Sequence, residues 1–420
     1  MSAANRGQRP GGSSLDANDD DVLRRAAQRL PELMRGGILQ LPEPPPLALY
    51  VHLPWCLRKC PYCDFNSHAG DPDERAYLDA VLADLDAALP LVWGRRVRSV
   101  FIGGGTSSLF APESIDALLG ALRARLPLSG DAEITLEANP GTFERERFAA
   151  YAGAGVTRLS LGVQSFDDVM LQRLGRVHDA AQARAALDEA ARVFATFNID
   201  LMFALPGQDL AQACADVRAA LAWAPPHLSL YQLTIEAQTA FAKRAPEGLP
   251  DADAAADMQL AVAELAARAG LQRYEVSAYA RQGHACRHNL NYWEFGDYLG
   301  IGAGAHSKLS FAHRIVRQQR VRQPERYMAG ALRGNAVEDE HEVARRDLPF
   351  EFMLNALRLR DGFDQALYPA RTGLPPSTLQ AGLQRGVERG LLDADGARVR
   401  ATGRGWELLN SAIELFLPDA

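Results

Sequence analysis

Six short β-rich runs, each followed by a segment of helical periodicity, constrain this chain more than any other feature. They are LALYVHL at 47–53, VRSVFIG at 97–103, EITLEA at 133–138, RLSLGV at 158–163, FNIDLMFAL at 197–205 and HLSLYQL at 227–233. Their length and their content of β-branched and aromatic residues predict strands. Between them, Tyr77, Leu78, Val81, Leu82, Leu85 and Leu89 recur at the spacing of a helix with one buried face, as do Ile115, Leu118, Leu119, Leu122 and Leu126. Repeated β-then-α units with right-handed crossovers build a parallel sheet, and six of them predict an α/β fold, an incomplete (β/α)6 TIM-like barrel. Functional groups are then expected at the C-terminal ends of the strands.

The flanking segments read differently. Residues 1–20 are polar and rich in Gly and Ser, which predicts a disordered tail. The barrel core is expected over 21–240 and an α/β extension over 241–335. From 336 to 420 the pattern becomes a helix from Glu342 to Arg360, a Pro-rich break, a helix from Ser377 to Gly390, and a hairpin turning at DADG. That order predicts a small winged-helix-like domain. No run approaches the roughly 18 uncharged apolar residues of a membrane span, and the N-terminus lacks a signal-peptide pattern, so a soluble, cytoplasmic protein is expected. A net charge of −7 argues against nucleic acid as the main partner. The arginines from Arg314 to Arg333 form a local basic segment, either a receptor for anionic groups or a solvated face.

Three of the five cysteines, Cys56, Cys60 and Cys63, are spaced C-x3-C-x2-C in the loop after the first strand, HLPWCLRKCPYCDFNSH. An odd, clustered set fits a metal site in a reducing compartment better than disulfides. Three thiolates on a four-iron cubane leave one iron open to a non-protein ligand. The same triplet with His68 or His52 could instead make a tetrahedral zinc shell, the less favoured alternative.

Other polar residues fall where strands end. Gly103, Gly104, Gly105 and Thr106 follow the second strand, where glycine permits close approach of backbone to a ligand, although no Lys-Ser/Thr pair follows to make a P-loop. Glu137 ends the third strand, Gln164 and Arg176 follow the fourth, and Asp200 lies in the fifth, so these groups can meet at one barrel mouth. In RHNLNYW, His288 offers an imidazole suited to heme iron and Tyr292 and Trp293 offer apolar shelter, although a core histidine among aromatics has the same appearance. Cys286 and Cys214 read as small buried hydrophobes. LGIGAGAHS at 299–307 is Gly-rich but lacks a clear strand before it and a helix after it, which disfavours a dinucleotide site.

The C-x3-C-x2-C triplet with Tyr62 before its last cysteine resembles the signature of radical-SAM proteins. The likeness continues through GGGTSSL, EANP, LSLGVQSF, GRVHD and IDLMFALPGQ into the C-terminal region. It implies a [4Fe–4S] cluster on Cys56, Cys60 and Cys63 whose open iron takes the amino and carboxylate groups of S-adenosylmethionine. It implies cofactor contacts at Tyr50, Tyr62, Gly104, Gly105, Thr106, Glu137, Gln164, Arg176 and Asp200, and heme binding at His288; no catalytic residue is assigned. The chain is most similar to the branch that holds oxygen-independent coproporphyrinogen III oxidases and heme chaperones. Those oxidases resemble one another in a further cysteine two positions past the third, where this chain has Phe65. CDFNSH and the HNxxYW pattern at His288, Asn289, Tyr292 and Trp293 resemble the heme chaperones instead. The resemblance therefore implies binding of heme, delivery to recipient hemoproteins of respiration, and a homodimer, with porphyrinogen decarboxylation as the alternative.

Overall fold

The structure is a computed structural model that describes residues 39–141, 145–394 and 396–418. The tail at 1–20, the first residues of the expected core and Asp395 of the DADG turn lie outside these residues. The six expected strands form, at Leu47–Leu53 (β1), Val97–Gly104 (β2), Leu128–Ala138 (β3), Arg158–Gln164 (β4), Phe197–Phe203 (β5) and His227–Gln232 (β6). Neighbours pair in parallel and in sequence order, as βα repeats with short crossovers require.

The sheet continues through Gln272–Arg273 (β7), Ala278–Ala280 (β8), Asp297–Ile301 (β9), His306–Phe311 (β10), Arg314–Arg320 (β11) and Val337–Glu342 (β12). Its order is β12-β11-β10-β9-β1-β2-β3-β4-β5-β6-β8-β7, twelve strands with two open edges and therefore no closed barrel. Two expectations change here. LGI at 299–301 is the end of β9, parallel to β1, so a strand does precede the Gly-rich turn; the turn leads into another strand and not a helix. Glu342 is not a helix start, because Val337–Glu342 pairs with β11 and the next helix begins at Leu348.

Helices Glu74–Ala88 (α1), Pro112–Arg125 (α2), Phe148–Ala154 (α3), Ala180–Val193 (α4), Leu210–Leu221 (α5) and Ala252–Arg268 (α6) cover the outer face. Asp179 with Gln182 and Asp209 with Gln212 form capping boxes that start α4 and α5 directly after loops. The predicted helix stripes are the buried ones, including Tyr77, Val81 and Leu85 of α1 and Ile115, Leu119 and Leu122 of α2. Cys214 is buried in α5. A short helix, Arg287–Trp293 (α7), carries the RHNLNYW segment.

A second apolar cluster gathers Leu348, Phe352, Tyr368, Leu379, Val399 and Phe416 around a small sheet ordered Phe363–Asp364, Arg398–Ala401, Leu392–Asp393. Helices Leu348–Ala356 and Ser377–Glu388 pack on it, and the strand Phe363–Asp364 and a short helix, Leu367–Thr372, lie between them in sequence. Among the described residues no helix is long and apolar enough to cross a membrane.

The antiparallel extension is tied to the parallel core by buried charge. Asp84 of α1 accepts from Arg320 Nε at 3.2 Å, from Tyr327 Oη at 2.9 Å and from the Gly302 amide at 3.3 Å. Asp84 and Arg320 are both fully enclosed. Removing one partner of such a pair leaves an uncompensated buried charge, which costs about 3–5 kcal/mol. Asp84→Ala is therefore expected to lower stability by that order in urea denaturation, and a change below about 1 kcal/mol would show that the tie is dispensable.

Candidate functional site

The loop after β1 carries the three cysteines and is closed on itself. Trp55–Cys56 pairs in parallel with His68–Ala69, the Cys63 amide donates to Cys60 O at 3.2 Å, and Lys59 Nζ donates to Phe65 O at 3.0 Å. The glycine turn after β2 is stitched to the base of this loop. Gly105 N donates to Leu53 O at 2.8 Å and Thr106 N to Trp55 O at 2.7 Å. A Cβ on Gly105 would lie 2.4 Å from Trp55 O, and one on Gly104, at φ +122°, would lie 2.7 Å from the His52 ring. These glycines are demanded first by the approach of two backbone segments.

A cavity of about 510 Å³ opens at the C-terminal ends of the strands. It is lined by Cys56, Cys60 and Cys63 together with Tyr62, Gly104, Gly105, Thr106, Glu137, Gln164, Arg176 and Asp200. Of the residues implied as metal or cofactor contacts, all but Tyr50 and His288 line it, and Cys286 and Asn289 line it as well. Sequence reasoning passed over Asn139, in the EANP turn after β3. Its Nδ2 donates to Thr106 Oγ1 at 2.7 Å, and its Oδ1 accepts from Arg176 Nη2 at 2.6 Å. Arg176 also donates to Gly162 O at 2.8 Å and points Nη1 at Cys60 Sγ, 3.7 Å away. Its Nε is buried without a partner among the described residues. Gln164 stands at φ +70°, a left-handed conformation unusual outside glycine and common where a site imposes strain.

The carboxyls on the floor are unusual. Burial pushes Glu137 up to about 7, with the nearby Asp200 adding to the effect and the Gly104 amide, 3.1 Å from Oε2, opposing it. Asp200 is raised by burial as well, although Ser160 at 3.0 Å and Asn198 at 2.8 Å donate to it. Burial raises the thiols of Cys56 and Cys63, so they want a positive partner to ionise. Iron would supply it.

The thiols fit a cluster better than zinc. His52 Nε2 must donate to Asn66 O at 2.9 Å, which leaves Nδ1 to accept from Tyr50 Oη at 2.9 Å. Both ring nitrogens are engaged, and burial holds the imidazole neutral at about 4. His68 bonds Asn66 Oδ1 at 3.3 Å and reaches the Arg322 backbone. His52 presents no free nitrogen as a fourth ligand, and the Nε2 of His68 is engaged.

Tyr50 and His288 lie elsewhere. With its hydroxyl held by His52, Tyr50 lines a second cavity of about 410 Å³, which shares Asp64, Phe65, Gly104 and Glu137 with the first. His288 lines neither cavity. Its ring is 2% exposed, with Nδ1 and Ser99 Oγ 3.2 Å apart and Nε2 unpartnered among the described residues. Burial takes its pKa down to about 3, so it is neutral but enclosed between Phe101 and Tyr292. Cys286 is buried beside Glu133, burial raises its thiol to about 12, and it lines the first cavity.

The Arg314–Arg333 segment is not one basic patch. Strand alternation sends its arginines to opposite faces. Arg317 pairs with Glu351 and Tyr298, Arg320 is buried on Asp84, Arg326 approaches Glu338, and Arg322 reaches the rim of the second cavity.

Residues 50–219 match the Radical SAM superfamily and residues 343–408 the HemN C-terminal domain. The chain is 46% identical over 379 residues to heme chaperone HemW of Escherichia coli (strain K12), covering 89% of this chain and 99% of that one. It is 45% identical to heme chaperone HemW of Haemophilus influenzae, covering 90% of this chain and 100% of that one. It is 35% identical to the mitochondrial radical S-adenosyl methionine domain-containing protein 1 of Mus musculus, covering 94% of this chain and 93% of that one. The solved coproporphyrinogen III oxidase HemN of Escherichia coli shares the fold, with a TM-score of 0.76 at 23% identity, over 96% of this chain and 93% of that one.

The Glu137 shift has a sign that can be checked in the metal-free protein. The unfolded chain ionises this group near 4.5 while the folded chain keeps it protonated to about 7, so stability is full below about pH 4.5 and falls as pH rises towards 7. The loss is at most about 3 kcal/mol. Glu137→Gln, which keeps an acceptor for the Gly104 amide, is expected to flatten this stretch of the stability–pH curve; an unaltered curve would place the titration elsewhere.

Proposed function

The chain belongs to the HemW family of radical SAM proteins, and from that premise we propose that it is a heme chaperone that carries a [4Fe–4S] cluster, S-adenosylmethionine and heme and delivers heme to respiratory hemoproteins. The observation that carries the reading is the combination at the cysteine loop: three half-buried thiols line one cavity, and the position two past the third cysteine, Phe65, is a 62% exposed phenyl ring and not a further thiol.

In this reading Cys56, Cys60 and Cys63 hold the cluster. When bound, the cluster supplies an open iron for the amino acid end of S-adenosylmethionine and an electron to its sulfonium. The chain's own residues prepare the space. Thr106, Asn139 and Arg176 form a connected set of donors and acceptors beside the Cys60 sulfur, and Arg176 keeps that sulfur in a positive field. Glu137 and Asp200 offer acceptors, and their raised pKa values mean that each ionises most readily when a cation or donor enters. The glycine turn holds the cysteine loop at fixed height over the strand ends. Five free thiols support a reducing, cytoplasmic setting.

Phe65 is also what disfavours decarboxylation, since the likeness to the oxidase HemN shows the fold alone. Cys56→Ala, Cys60→Ala and Cys63→Ala are each expected to lose the cluster, read by iron and sulfide content after anaerobic reconstitution; near-stoichiometric zinc in the wild type would sink the cluster reading. The reconstituted wild type is expected to bind heme and to leave coproporphyrinogen III unconverted. Robust formation of protoporphyrinogen IX with cofactor and reductant would make it an oxidase.

A further inference from the structure

The heme-chaperone reading leaves open where the heme sits, and the second cavity meets the requirements. We propose that heme occupies this cavity, with the imidazole of His306 as the protein ligand to its iron and Arg322 facing a propionate; the proposal rests on the chain being a heme carrier.

At about 410 Å³ the space has the size of a small-molecule site, and it is partly open to solvent. A carrier that must release its cargo needs such an edge. Its walls are aromatic. The rings of Tyr292 and Tyr298 lie 4.4 Å apart, and the exposed Phe65 stands on the border with the cysteine cavity. Large apolar faces with polar tips suit a flat macrocycle.

Three histidines surround this region, and the structure separates them. His52 has both ring nitrogens engaged. His288 is enclosed behind Tyr292, with ring centroids 5.1 Å apart in an edge-on contact. His306 is exposed, lines the cavity, and has no side-chain hydrogen bond among the described residues. It opens β10, and pairing of Lys308 with both Tyr298 and Arg317 puts His306, Tyr298 and Arg317 on one face of the sheet. Partial burial and the positive charges of Arg317 and Arg322 lower its pKa, which keeps the imidazole neutral and able to donate to iron. Arg322 supplies an exposed guanidinium at the rim, suited to a carboxylate.

The RHNLNYW segment gains a role in this arrangement without touching iron. His288 backs Tyr292, and Asn291 Nδ2 donates to Asp297 O at 2.8 Å, which fixes α7 against the start of β9. His288 is a positioning residue. The cysteine loop is also joined to this wall, because Asn66 Nδ2 donates to Ala303 O at 2.9 Å and Arg322 O at 2.8 Å.

The test is a titration of ferric heme into the anaerobically reconstituted full chain, followed at the Soret band, for wild type, His306→Ala and His288→Ala. Iron and sulfide content report that each variant keeps its fold and cluster. His306→Ala is expected to weaken heme binding by about tenfold or more and to lose the imidazole-type Soret position, with added imidazole restoring it. His288→Ala is expected to keep the imidazole-type position with a smaller loss of affinity. An unchanged spectrum and affinity in His306→Ala overturns the assignment, as does imidazole rescue confined to His288→Ala. A wild type that binds no heme removes the chaperone reading itself, and the proposal with it.

Discussion

The site depends on how closely two backbone segments approach at the ends of β1 and β2. Two amide-to-carbonyl bonds, from Gly105 to Leu53 and from Thr106 to Trp55, bind the glycine turn to the root of the cysteine loop. There is no room for a Cβ at Gly105, because it would fall 2.4 Å from the Trp55 carbonyl oxygen. A side chain there must push the two segments apart, and the cysteines move with one of them. Everything else in the first cavity is placed relative to this seam: Glu137 reaches it through the Gly104 amide, and Asn139 through the Thr106 hydroxyl.

Burial then sets the electrostatics. Glu137, Asp200, Cys56 and Cys63 all have pKa values raised mainly by loss of water. A carboxyl or thiol in that condition binds a proton or a cation with more energy than one in water. Arg176, half-buried and already pointing at the Cys60 sulfur, is one of three arginines that line this cavity, with Arg58 and Arg158. The same economy governs the far side of the sheet, where Asp84 and Arg320 join α1 to the antiparallel strands only because Tyr327, Ser307 and Gln318 complete their hydrogen bonds.

The two cavities are neighbours across Gly104, Glu137, Asp64 and Phe65. Asn66 holds the loop between them against residues 303 and 322. A change at the cysteine loop is thus mechanically connected to the wall that carries His306 and Arg322, by hydrogen bonds that join the two and not by proximity alone.

Much of this was legible in the sequence, because its signals were local. The six parallel strands announced themselves by apolar runs of strand length, and the first cavity's lining by polar residues at the ends of those runs, since a βα repeat always delivers those ends to one face. Phe65 was readable too, as a residue type at a fixed distance from Cys63. What only the tertiary structure decided involves partners distant in sequence. Asn139 matters because Thr106 and Arg176 lie on either side of it, and Tyr50 leaves the first cavity because His52 holds its hydroxyl. β9 was missed because glycines weaken its local signal and its pairing with β1 spans most of the chain. His288 stood out in the sequence beside aromatics, while His306 went unremarked near the end of the Gly-rich LGIGAGAHS run. Folding encloses one behind Tyr292 and sets the other at a cavity rim, and burial of that kind is a property of the packed whole.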